Sequence, residues 1–171
     1  MNTAELMQIC KIDKYINPVF EGVFPSDRLP KKDIYPAAYI VNTDGTGKPG
    51  THWVAMYFDQ DQNGDYFDSY GRAALPVFKT YMDRHCLEWQ YNGKQLQTPL
   101  TSTCGQYCVF FLHQRCRGVA LQKIIDMFGS DTVKNDQMVT NFINHNYQVN
   151  TKMIDISYVI NQICKVLEIN N

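Results

Sequence analysis

Apolar residues recur at helical spacing towards both ends of the chain and form strand-like runs through its middle. Within residues 3–15, Leu6, Ile9 and Cys10 fall on one face of a short helix. Residues 17–36 carry Pro, Gly and aromatics without a period and read as an ordered loop. Ala37–Asn42 is a β-branched and aromatic run, a strand ended by the turn-rich Thr43–Gly50. His52–Asp59 reads as the next strand, and Asn63-Gly64 as a hairpin turn returning the chain as Tyr66–Ser69. Leu75–His85 is a helix opened by Pro76. Leu87–Tyr91 and Gln95–Gln97 flank a second Asn-Gly at 92–93, which predicts another hairpin. Cys104–Arg117 is the most apolar helix, with Gly118 at its C′ position. A short helix follows through Leu121, Ile124, Ile125 and Phe128, then one capped by Asp131 with Val139, Phe142 and Ile143 inward. A last helix carries Ile156, Val159, Ile160, Ile163 and Leu167. Strands clustered centrally with helices around them predict an α+β domain.

Length and composition narrow the class. A chain of 171 residues suits a single domain over 1–171, burying on the order of 70% of its unfolded surface without staples. With 16 Lys+Arg against 17 Asp+Glu, the net charge of −1 argues against a partner held mainly through phosphates. No apolar run nears the ~20 residues that span a bilayer, and Met1–Lys14 lacks the apolar core of a secretory signal. The six cysteines, at 10, 86, 104, 108, 116 and 164, have no repeating spacing. Reduced thiols in an intracellular compartment are therefore expected.

Candidate chemistry centres on Gln97–Gly105, a polar turn segment running into the apolar helix. A cysteine at a helix mouth meets backbone N–H groups with no intrahelical partner, which favours thiolate over thiol. Cys104 is the candidate nucleophile, His52 the base and Asp68 the carboxylate that orients it. The Gln97 amide and the backbone N–H of Cys104 are candidate donors to an oxyanion. Taken singly, each residue has a structural reading: a small buried cysteine, a bonded strand histidine, a strand-ending aspartate, a solvated glutamine. Their joint placement favours an acyl-transfer site. Cys104, Cys108, His113 and Cys116 could suggest a metal, but on one helix these side chains spread too far around the axis to share an ion. His85, His113 and His145 have no evident carboxylate or thiol partner in sequence and read as structural or surface residues.

Thr51-His52-Trp53, Tyr66-Phe67-Asp68-Ser69-Tyr70-Gly71 and Gln97-x6-Cys104-Gly105-x2-Cys108 together resemble the adenovirus-type cysteine proteases (adenain). The likeness is closer to copies carried by Polinton/Maverick elements and related DNA viruses, and looser to the proteases that release SUMO-like modifiers. It runs from about Phe20 to Tyr147. The resemblance implies a papain-like α+β core, a central mixed sheet flanked by helices, with the chain order permuted to His, Asp, Cys. It implies catalysis by His52, Asp68 and Cys104 with Gln97 in the oxyanion hole. Trp53 would wall a narrow cleft that favours glycine. Asp68 stands where the adenovirus enzymes have glutamate and the modifier proteases aspartate.

The substrate so implied is a capsid precursor with glycine near the cut, processed through a thioester by a monomer in host cytoplasm or nucleus, or packaged in a virion. Cys86 stands where the adenovirus enzyme pairs with an activating peptide, the one cofactor the resemblance suggests; the residues themselves require none. The DNA cofactor of the strongly basic adenovirus enzyme has no counterpart in this charge balance. The rival readings are an isopeptidase acting on ubiquitin-like modifiers, an inactive binding module of the same fold, and an effector-type acetyltransferase. The last needs a basic inositol-phosphate pocket, and no dense Lys/Arg cluster occurs.

Overall fold

A computed structural model describes residues 1–31 and 34–147. The expected last helix and Cys164 lie outside them. Helix α1 (Thr3–Ile12) opens the chain, closed into a capping box in which Asn2 and Glu5 each accept the other's backbone N–H. A 3-10 turn over Asn17–Val19 leads into strand β1 (Phe20–Pro25). Then come β2 (Ala37–Asn42), β3 (Trp53–Phe58), β4 (Asn63–Phe67), α2 (Pro76–His85) and β5 (Glu88–Tyr91). Helices α3 (Cys104–Cys116), α4 (Leu121–Asp126) and α5 (Thr132–Asn146) follow.

The five strands form one sheet in the order β1-β2-β3-β4-β5. β2, β3 and β4 are antiparallel, while β1 and β5 pair parallel at the edges, so the sheet is mixed. Strand alternation divides the core in two. Ala38, Ile40, Ala55 and Phe67 point to the face covered by α1, α3, α4 and α5. Ala37, Tyr39, Val41, Val54, Met56 and Phe58 point to the other, where Phe78, Tyr81 and Met82 of α2 pack. The expected α+β class with a mixed sheet between helices is the observed one.

Three expectations are corrected. The loop over 17–36 contains β1, an edge strand hidden from pattern reading by a bulge between Phe20 and Gly22, where Gly22 has φ +145°. The first hairpin turns at Asp59–Gln62, not at Asn63-Gly64. Asp59 Oδ1 accepts the N–H groups of Asp61 at 3.0 Å and Asn63 at 2.8 Å, and Gln62 takes φ +63°. Gly64 lies inside β4, at a position where a Cβ would meet the Cys86 sulfur and the Met82 methyl. The second Asn-Gly makes no hairpin: β5 pairs with β4 after the α2 crossover, and Asn92 turns its amide into the protein.

Candidate active site

The β3–β4 hairpin brings His52, just before β3, against Asp68, just after β4. His52 Nε2 lies 2.8 Å from Asp68 Oδ1, and both residues are buried. Asp68 is itself held: its Oδ1 accepts the Tyr70 N–H at 2.8 Å, and Asn92 Oδ1 accepts the Asp68 N–H at 2.8 Å. Asn92 Nδ2 donates back to the Asp68 carbonyl at 2.5 Å. Gly71 closes this turn at φ +67°, its N–H donating to the Asp68 carbonyl at 2.7 Å. The Tyr70 ring lies against the imidazole at 4.8 Å between centroids, with the Arg72 guanidinium 4.7 Å from the Tyr70 ring.

Cys104 is the first residue of α3 and 7% exposed. Thr103 precedes it without capping the helix by its side chain; its hydroxyl pairs with that of Thr101 at 3.0 Å instead. The sulfur itself takes the Gly105 N–H at the start of α3, where the helix dipole favours negative charge. Burial pushes the Cys104 thiol up, but His52 and the backbone N–H groups of Trp53 and Gly105 outweigh it and bring it below the ordinary value. His52 responds in the opposite sense. Burial lowers it, yet the hydrogen bond to Asp68 and the nearby Cys104 sulfur raise it to about 9. His52 Nδ1 is buried and makes no hydrogen bond of ordinary geometry, although the sulfur is near enough to act on the ring. Together these shifts favour a thiolate–imidazolium pair. Burial raises the thiols of Cys10, Cys108 and Cys116, the last to about 12. None of the five described cysteines is in a disulfide.

Gln97 is fully buried. Its Oε1 accepts the Ser69 hydroxyl at 2.7 Å and its Nε2 donates to the Thr101 carbonyl at 2.9 Å, so its amide is ordered within the loop ahead of Cys104. Trp53 is half-buried and donates its indole N–H to the Met1 carbonyl at 3.0 Å. It helps line a cleft of about 410 Å³ with Met1, Val23, Phe24, Asp44 and Lys48. Cys86 stands apart: it packs with the core on the α2 face of the sheet, whereas Cys104 begins α3, which packs on the other. Among the described residues no three His, Cys, Asp or Glu side chains are grouped to hold a metal ion. His113 does have a carboxylate partner, contrary to expectation: its Nδ1 lies 2.6 Å from Asp13 Oδ2, a pairing across 100 positions that no local pattern reveals.

Three residues of the site were not singled out from sequence. Ser69 and Tyr70 lie inside the Tyr66–Gly71 motif without a signal of their own, and Asn92 has the local look of a turn residue.

No family model matches the chain. Over 92 residues it is 28% identical to the protease of bovine adenovirus C serotype 10, covering 45% of this chain and 47% of that protein. The chain is similar to adenovirus proteases. It is 27% identical over 114 residues to the protease of human adenovirus B serotype 3, covering 58% of this chain and 53% of that one. With the protease of bovine adenovirus 2 the figures are 29% over 118 residues, 59% and 57%. The chain thus spans about half the length of the curated relatives it matches. Among solved structures, ASFV pS273R protease overlaps with a TM-score of 0.49 at 22% identity, over 66% of this chain and 46% of that one. ChlaDub1 from Chlamydia trachomatis overlaps at 0.47 and 17% identity, over 64% and 58%. Among the described residues no helix is long and apolar enough to cross a membrane.

Proposed function

We propose that the chain is a cysteine endopeptidase that matures viral or transposon-borne capsid precursors inside the host cell. The observation that carries the reading is the His52–Asp68 contact at 2.8 Å beside a Cys104 thiol held below its ordinary value at a helix mouth. The similarity to viral proteases supports the same class.

In this mechanism the Cys104 thiolate attacks the scissile carbonyl, forming a C–S bond while the carbonyl electron pair moves to oxygen. The second hydrogen of the Gln97 amide and the Cys104 N–H stabilise that oxyanion. His52, kept protonated and oriented by Asp68, gives its proton to the leaving amine as the C–N bond breaks. Water, deprotonated by His52, then releases the acid from the thioester. Trp53 walls the cleft and favours glycine there.

Limiting iodoacetamide followed by peptide mapping tests the nucleophile: Cys104 should label ahead of Cys10, Cys108 and Cys116. Cys104→Ala should abolish cleavage and leave the fold unchanged. Equal labelling of all thiols, or residual turnover by that variant, would defeat the reading. A glycine-containing capsid peptide compared with a SUMO-type fusion decides the substrate class, since preference for the fusion would favour the isopeptidase.

A further inference from the structure

One buried carboxylate on α5 ties the middle of the loop ahead of Cys104 to the helical face. Asp136 is 5% exposed. Its Oδ2 accepts the Thr101 hydroxyl at 2.6 Å and its Oδ1 the Tyr107 hydroxyl at 2.8 Å. The directions follow from proton counting. Thr101 has one hydroxyl hydrogen, which goes to the carboxylate, so the Thr101 oxygen accepts from Thr103. The Tyr107 oxygen also lies 3.0 Å from the Leu96 carbonyl, but the charged acceptor is the stronger claimant for its single proton.

From Thr101 the chain of contacts passes to Gln97, whose Nε2 donates to the Thr101 carbonyl. A backbone carbonyl only accepts, so the NH2 end of the amide faces Thr101; the Ser69 hydroxyl on Oε1 agrees with that orientation. Leu100, at the loop tip, is 92% exposed, so burial of its side chain does not hold the loop. Residues 97–103 are anchored at two points: Ser69 holds Gln97, its carbonyl accepting the Gln97 N–H at 3.0 Å, and Asp136 holds Thr101.

We propose that Asp136 is a positioning residue: through Thr101 and Tyr107 it sets the angle at which the Gln97 amide and the start of α3 meet the reacting carbonyl. The proposal rests on the peptidase reading above. A displaced oxyanion donor weakens the transition state and leaves ground-state binding alone.

The test uses the full chain with Thr101→Val, Thr101→Ser, Asp136→Asn and Cys104→Ala. Thr101→Val keeps the shape of an exposed-loop residue and removes the hydroxyl, so it remains informative if Asp136→Asn folds poorly. The probes are a fluorogenic peptide with two glycines before the cut, a peptide aldehyde ending in glycinal, and iodoacetamide. The aldehyde forms a hemithioacetal bearing an oxyanion; alkylation by iodoacetamide forms none. Thr101→Val and Asp136→Asn should lower kcat about 10- to 100-fold, as loss of geometry at a reacting centre does, with KM within about twofold. Aldehyde affinity should fall by a similar factor, Cys104 alkylation should stay within about twofold of wild type, and Thr101→Ser should restore turnover. Wild-type kcat in Thr101→Val, or an equal loss in alkylation rate, overturns the positioning role. Cleavage surviving in Cys104→Ala overturns the peptidase reading instead; a dead Cys104→Ala beside a fully active Thr101→Val removes only the role of Asp136.

Discussion

Asp13→Asn measures how far the helical face of the fold hangs on one buried carboxylate. Asp13 follows α1 and is 4% exposed. It accepts the N–H groups of Tyr15 and Ile16 at 2.8 Å each, His113 Nδ1 at 2.6 Å, and the Tyr147 hydroxyl at the end of α5. Burial raises its carboxyl, but the hydrogen bonds from His113, Tyr147, Ile16 and Tyr15 outweigh this and bring it from 3.8 to about 2. At about 1.4 kcal/mol per tenfold change in ionisation, that fall corresponds to roughly 2–3 kcal/mol.

Because the folded value lies below the unfolded one, the stabilisation is complete above about pH 4 and disappears as pH falls through 2. Urea unfolding at pH 7 should show the variant less stable by about 2–3 kcal/mol, equivalent to roughly 5–10 °C in Tm for a chain of this size. The gap should narrow as both proteins are taken towards pH 2. A gap below about 0.5 kcal/mol at pH 7, or one that ignores pH, would refute the account of this carboxylate.

The pH dependence of Cys104 alkylation should begin below the ordinary thiol range, and cleavage should fall again near pH 9 as His52 loses its proton. Asp68→Asn should move that alkaline limb down; a single step for Cys104 at or above 9 contradicts the ion pair. Gly71→Ala places a Cβ 2.5 Å from the Lys94 carbonyl carbon at a φ of +67°. Thermal unfolding should show a loss of about 2–4 kcal/mol with slower Cys104 alkylation, and wild-type values would show that the turn relaxes freely. Asn92→Ala leaves the Asp68 N–H without its acceptor and its carbonyl with the Gly71 N–H alone. A loss of about 2–4 kcal/mol is expected from urea titration, and a loss under about 0.5 kcal/mol would mean that water replaces the amide.

Elements with a strong apolar period were legible in the sequence. Leu6, Ile9 and Cys10 on α1, and Val139 and Ile143 on α5, are all buried as their spacing implies. The His52–Asp68 pairing was legible because both residues flank one hairpin, even though its turn was placed a few residues late. What stayed hidden depends on distant partners. Gly64 looks like a turn residue until Cys86 and Met82 press on it, and Asn92 looks like one until Asp68 is beside it. Asp136 occupies the middle of a helix with no local hint that Thr101 and Tyr107 converge there.

The contact between Trp53 and Met1 bears on how the protein should be handled. Met1 packs beside Gly105 and receives the indole N–H, so any residues joined ahead of it leave the fold next to the Trp53 wall. An affinity tag fused at that end would sit beside the cleft that Trp53 and Met1 line. Rates measured on such a fusion would report the tag together with the protein, and its removal becomes a control in every assay of the cleft.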